Sequence, residues 1–270
     1  MKPSIYDLVA NTFKVLEIAA PLRLTVLPGD ALQDVWVKFI EADSENDWFC
    51  LVRDDDRIYG YLARDDDVFD SPAYGIARDN ATSIQTNALV PGSMSLLELP
   101  PLFKKHWFYF VLTRNEITHV VSFPDLDKLP VKLCLFSLVM ELESAMLDLL
   151  VDDNTSVQRY LAYLPRSRRD KAEELCRAKY RQVTPVGTLF CTTFVDKKHM
   201  LSRNSKVVAT LPFESRRQYD RFFKRVENVR NQIAHSDSIV GILSTPQNFD
   251  EFVVTLREAA ESMRSLQKPN

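Results

Sequence analysis

The period of the apolar positions changes once along this chain, near Pro130. Before it, short apolar runs alternate with polar turns. Asp47–Tyr61, DWFCLVRDDDRIYGY, predicts a strand at Trp48–Val52, an acidic turn at Asp54–Asp56 and a strand at Ile58–Leu62. Trp107–Ser122, WFYFVLTRNEITHVVS, repeats the pattern around a polar turn at Arg114–Glu116. Each hairpin follows a helical stretch. The first is Ala31–Glu41, with Leu32, Val35, Trp36 and Phe39 at helical spacing; the second is Ser95–Lys104, where Pro100 and Pro101 permit only a short or broken helix. The unit of turn, helix and hairpin thus occurs twice, about 60 residues apart, which predicts a pseudo-symmetric pair burying a shared sheet face.

After Pro130 the pattern is helical. Leu133–Leu150 places Phe136, Met140, Leu147 and Leu150 on one stripe, and Glu143 falls inside it. A carboxylate on a buried stripe is costly unless a cation meets it. Further helices are expected over Ser167–Gln182, over Ser215–Ala234 behind a capping-box-like Ser215-Arg216-Arg217-Gln218, and over Asn248–Leu266. The fold class these patterns predict is α+β: an α/β region followed by an all-α, up-and-down helical bundle.

Composition narrows the class without naming a function. The 270 residues allow one large domain or two ordinary ones, and a 46% hydrophobic, 26% charged chain is average for soluble globular proteins. Asp7, Lys14 and Glu17 interrupt the N-terminal apolar stretch, and Glu141, Glu143 and Asp148 interrupt the longest apolar run. Neither a signal peptide nor a membrane span is therefore expected. Cys50, Cys134, Cys176 and Cys191 lie far apart with no CxxC spacing, so neither a zinc site nor a disulfide framework is expected. A reduced, cytoplasmic location follows.

The net charge of −3 conceals an asymmetry. Residues 1–128 carry 12 basic and 20 acidic side chains, a balance of −8; residues 129–270 stand at +5, and residues 159–230 at +11. That split suits two modules with different partners, or simply solvated helix faces. Acidic runs at Asp54–Asp56 and Asp65–Asp67 suit turns better than a hard cation, and Lys197-Lys198-His199 reads as a solvated basic loop. GxGxxG, P-loop and HExxH motifs do not occur.

The Ser215 helix carries the chemistry. Tyr219, Phe222, Val226, Val229 and Ile233 form a core stripe, while Lys224, Asn228, Asn231 and His235 form a polar one. His235 lies about 200° around the helix from Ile233, away from its own core. Such a stripe binds phosphate, faces a partner subunit or is merely solvated.

Two resemblances sharpen this. Leu27-Pro28-Gly29-Asp30, Phe49–Val52 and Gly60-Tyr61-Leu62, repeated as Val90-Pro91-Gly92-Ser93, Phe108–Leu112 and Ile117–Ser122, resemble a tandem CBS-domain pair over residues 8–130. The resemblance implies an adenine-nucleotide regulatory site at Ser122-x-x-Asp125, the hydroxyl on phosphate and the carboxylate on ribose. The same two residues also suit a helix cap. The first copy has Ala63 in place of the hydroxyl, and His119 stands where the family usually has glycine.

Arg230-Asn231-Gln232-Ile233-Ala234-His235 resembles the Arg-x4-6-His signature of the HEPN superfamily, over residues 131–266, with Glu143 at that family's acidic position. Asp237 departs from members that carry a tyrosine there. This resemblance implies a metal-independent endoribonuclease with catalytic Arg230, Asn231, His235 and Glu143, no required cofactor and RNA as substrate. It also implies a homodimer with a composite active site, and an effector of the toxin or phage-defence kind. Arg230 and His235 stand about 140° apart on one helix, which is what two facing helices would resolve. Arg230 is also close enough to the core edge to pair with Glu143, and its loss is expected to destabilise the bundle by a few kcal/mol, ~3–5. The alternative is a non-catalytic, nucleotide-sensing dimer whose helical domain binds a protein or nucleic acid.

Overall fold

The computed structural model describes residues 5–42, 47–69, 75–151 and 154–266. The chain is mixed α+β, with two small sheets and a C-terminal helical region. It divides into two compact units: residues 11–128, and residues 129–270 together with 1–10. Among the described residues, no helix is long and apolar enough to cross a membrane.

Helix α1 (Ile5–Thr12) precedes the short strand β1 (Ala20–Pro21). The first repeat then runs β2 (Leu24–Val26), α2 (Leu32–Glu41), β3 (Phe49–Arg53), β4 (Ile58–Ala63), and is followed by the short α3 (Ala77–Asn80). The second runs β5 (Leu89–Pro91), two 3-10 turns at Leu96–Glu98 and Leu102–Lys104, then β6 (Phe108–Thr113) and β7 (Glu116–Ser122). Pro100 and Pro101 sit between the two 3-10 turns, which is where the sequence breaks the helix. The strand opening each repeat is too short to leave an alternating pattern, and the sequence does not predict it.

Both copies pair in one way. β2 runs parallel to β3 and β5 parallel to β6, while β3–β4 and β6–β7 are antiparallel hairpins. Phe49 faces Ala63 as Phe108 faces Ser122, and both hairpins shift register at the same place, after Val52 and after Val111. The second hairpin closes on Arg114 and Asn115, with φ of +53° and +66°, the two-residue turn whose twist matches the strands. In the first, Asp54 accepts from the backbone N–H of Asp56 and Arg57 and from the Tyr59 hydroxyl, so the acidic run serves its turn. The sheets meet through Leu51, Phe110 and Val120, with Phe49, Tyr61 and Phe108 around them. The Phe49 and Phe108 ring centroids lie 4.4 Å apart.

The helical unit contains α4 (Leu129–Leu150), α5 (Asn154–Ala162), α6 (Arg166–Tyr180), α7 (Pro185–Phe190), α8 (Phe194–Leu201), α9 (Ser205–Thr210), α10 (Arg216–Ala234) and α11 (Pro246–Ser265). Ser215, Thr193 and Thr245 cap α10, α8 and α11 by accepting from Gln218, Asp196 and Asn248 N–H groups. The Lys197-Lys198-His199 segment is not a loop but lies within α8, and Lys197 is buried.

The core face of α4 differs from the expected stripe. Cys134, Leu135, Leu138, Val139, Leu142, Ala145, Met146 and Leu150 are buried, whereas Met140 is exposed and Phe136 and Leu147 are half-buried. The helix is apolar at most positions, so several stripes fit its sequence equally well. Its packing partners α8, α10 and α11 select which face is buried. In α10 the predicted core stripe holds for Tyr219, Phe222, Val226 and Val229, and Ile233 is half-buried.

Candidate functional site

The site is built where α4, α8 and α10 meet. Glu143, on the half-buried flank of α4, is met first by Lys197: Nζ lies 3.0 Å from Glu143 Oε1 and also donates to the Thr192 carbonyl at 2.9 Å. Arg230 of α10 approaches the other carboxylate oxygen, its Nε 3.7 Å from Oε2, without making a hydrogen bond. The cation that Glu143 requires is therefore principally Lys197, from a segment whose sequence reads as a solvated loop. Arg230 is a second, looser partner whose side chain keeps 38% of its surface exposed.

That exposed part of Arg230 lines a cavity of about 440 Å³, together with Asn231, Arg168, Lys171, Cys191 and Glu227. Arg168 also donates to Asp196 Oδ1 at 2.6 Å. Asp196 in turn accepts from the Thr193 N–H and hydroxyl at 3.0 and 2.7 Å, closing a capping box at the start of α8. Burial pushes the Asp196 carboxyl up, but hydrogen bonds from Arg168 and Thr193 and the Arg168 charge outweigh it and hold it below its usual 3.8. Arg168 and Asp196 are thus a fixed wall of the cavity.

Asn231 is exposed at the same cavity. His235 is the C-cap residue of α10, exposed, and does not line this cavity. Within one chain the structure therefore brings together Glu143, Arg230 and Asn231, and leaves His235 apart. The polar stripe divides as well: Lys224 and Asn228 line a different groove, between α10 and α11. Sequence reasoning misses Lys197, Arg168 and Asp196, because tertiary packing alone joins them to Arg230.

In the unit of residues 11–128, Ser122 and Asp125 form a reciprocal cap on a 3-10 turn at Phe123–Asp127. The Ser122 N–H and hydroxyl both donate to Asp125 Oδ2, at 2.6 and 2.8 Å, and Lys128 Nζ sits 2.7 Å from Oδ1. Both carboxylate oxygens are thus engaged locally. A cavity of about 340 Å³ in the same unit, lined by Arg57, Tyr59, Ser83 and Ile117 among others, does not include them. His119 shares a hydrogen bond with the Thr118 hydroxyl at 2.8 Å, and burial lowers its pKa. Its counterpart in the first copy is Gly60, where a side chain would come within 2.4 Å of the Thr82 carbonyl oxygen, so only glycine fits there.

Compared with protein-family models, with curated protein sequences and with solved structures, the chain matches none.

Proposed function

We propose that this protein is a metal-independent endoribonuclease acting as a homodimer, with an adenine nucleotide as regulatory ligand of the unit spanning residues 11–128. The observation that carries the reading is the division of α10: Arg230 and Asn231 line the cavity beside Arg168 and Lys171, while His235 stands exposed beyond it. Two chains facing each other complete what one keeps apart. His235 of one chain accepts the proton of a ribose 2′-hydroxyl, the 2′-oxygen attacks the adjacent phosphorus, and the same imidazole returns that proton to the leaving 5′-oxygen. Arg230 offsets the charge that builds on the phosphate oxygens, and Asn231 orients the phosphate. Glu143, 3.7 Å from Nε, attracts the guanidinium by charge alone. The products are a 2′,3′-cyclic phosphate and a 5′-hydroxyl. The same chemistry suits an effector of the toxin or phage-defence kind. Regulation requires a nucleotide to displace Lys128 or the Ser122 cap from Asp125.

The alternative is a non-catalytic, nucleotide-sensing dimer whose helical unit binds a protein or nucleic acid. Incubation with total RNA decides between them. Cleavage that persists in EDTA and disappears in His235→Ala supports the nuclease. Mixing Arg230→Ala with His235→Ala should then restore about a quarter of the activity, since half the dimers are mixed and each has one intact composite site. Equal RNA decay in wild type and His235→Ala leaves the binding reading.

A further inference from the structure

A second opening in the helical unit, larger than the Arg230 cavity, is the groove between α10 and α11, about 890 Å³, and the chemistry above does not use it. Its floor is apolar and aromatic: Phe222 and Phe252 are buried there, and half-buried Phe213 lies against Phe222 with centroids 5.0 Å apart. Along one wall, Arg221, Lys224, Arg225 and Asn228 follow at spacings of three, one and three, a single face of α10. Lys224 is paired with Glu227 at 3.1 Å. Neither Arg221 nor Arg225 has a carboxylate within ion-pair distance among the described residues, although Glu214 and Glu251 also line the groove. Arg225 lies over the Phe252 ring, with its guanidinium carbon 5.7 Å from the centroid. Burial lowers its pKa, with the Glu251 charge opposing.

Unpaired guanidinium groups above an aromatic floor, with Asn228 and Asn248 as amide donors and acceptors, form the combination that holds single-stranded nucleic acid: charge for the backbone, ring faces for the bases. The direction of the wall adds a second observation. His235 lies seven residues past Asn228, about 20° off the same helical face and ~10 Å along the axis. The basic wall therefore leads toward His235.

We infer that the α10–α11 groove is the binding track for single-stranded RNA and delivers the strand to His235. The inference deepens the nuclease reading and rests on it for the substrate. Full-length His235→Ala protein, which keeps RNA intact on that reading, is titrated with a fluorescent oligouridylate of about 12 nucleotides. Adding Arg221→Ala and Lys224→Ala should raise Kd at least tenfold and lower the slope of log K against log salt by ~1.4, the value for two lost phosphate contacts on a single strand. Arg221→Lys with Lys224→Arg should retain binding, which separates lost charge from lost structure. Unchanged Kd and slope in the double alanine variant overturn the inference, as does failure of every form to bind. Loss of dimer mass in sedimentation with RNA affinity intact also overturns it, and makes the groove a contact between copies. If the groove binds RNA but wild type cleaves none, the nuclease reading falls and the groove stands. If cleavage depends on His235 but the double variant binds unchanged, the groove falls and the nuclease stands.

Discussion

Lys197, not Arg230, should be the residue whose loss unfolds the helical unit. Its side chain is 6% exposed and Glu143 16%, and Nζ makes two short hydrogen bonds, to the carboxylate and to the Thr192 carbonyl. Lys197→Met keeps the apolar stem and strands the carboxylate. Breaking a buried pair in this way costs ~3–5 kcal/mol, and the lower end applies because a guanidinium remains nearby. Arg230→Ala removes a half-exposed partner that makes no hydrogen bond to Glu143, a loss of ~0.2–1 kcal/mol after solvent screening. The few kcal/mol expected from sequence for Arg230 therefore belongs to Lys197.

The assay can be confined to one unit. Trp36, Trp48 and Trp107 all lie within residues 11–128, so tryptophan fluorescence follows that unit, while far-UV ellipticity follows mainly the helices after Leu129. In urea, with a slope of ~2 kcal/mol/M, Lys197→Met should lower the ellipticity midpoint by ~1.5 M and Arg230→Ala by less than ~0.5 M. Neither should move the fluorescence midpoint. An Arg230→Ala shift as large as that of Lys197→Met would refute this division of labour.

Two further outcomes follow from the engaged carboxylates. Because Asp196 is held below its usual 3.8, its contribution to stability is complete above about pH 4–5 and is lost as pH falls through the folded pKa; Asp196→Asn should flatten the acid limb of the ellipticity midpoint below pH 4. Asp125→Ala removes a cap and should lower the fluorescence midpoint by the equivalent of ~0.5–2 kcal/mol with no ligand present. Only calorimetric heat with an adenine mono-, di- or oligonucleotide, present in wild type and reduced in Asp125→Ala, would give Asp125 a binding role as well.

The repeated hairpins and the long helices are legible because each is written locally: alternating runs around Asp54–Asp56 and Arg114–Asn115, a capped amphipathic stripe from Ser215. What the sequence leaves unread lies in packing. On α4 an almost wholly apolar surface leaves the phase open, and Glu143 announces the need for a cation without saying which. Lys197 is 54 residues away and sits in a short helix with no strong period. The string from Arg230 to His235 is visible as a unit, yet the fold gives its two ends different surroundings. The groove wall is half visible: Lys224 and Asn228 belong to the polar stripe, but Phe213 and Phe252 reach it from outside the helix.

The seam between the two sheets has a consequence for the halves themselves. Phe49, Leu51 and Tyr61 stand at the positions that Phe108, Phe110 and Val120 occupy in the other copy, so each half presents to its twin the same three sites. Chemically this is an isologous dimer contact closed within one polypeptide. Tethering holds the twins at an effective concentration of order mM, so a seam persists that two free halves would share only weakly. It also releases them from identity. A true dimer must carry any change twice, whereas here Ala63 and Gly60 in one half answer to Ser122 and His119 in the other. Polar chemistry can thus be confined to one side of a symmetric frame.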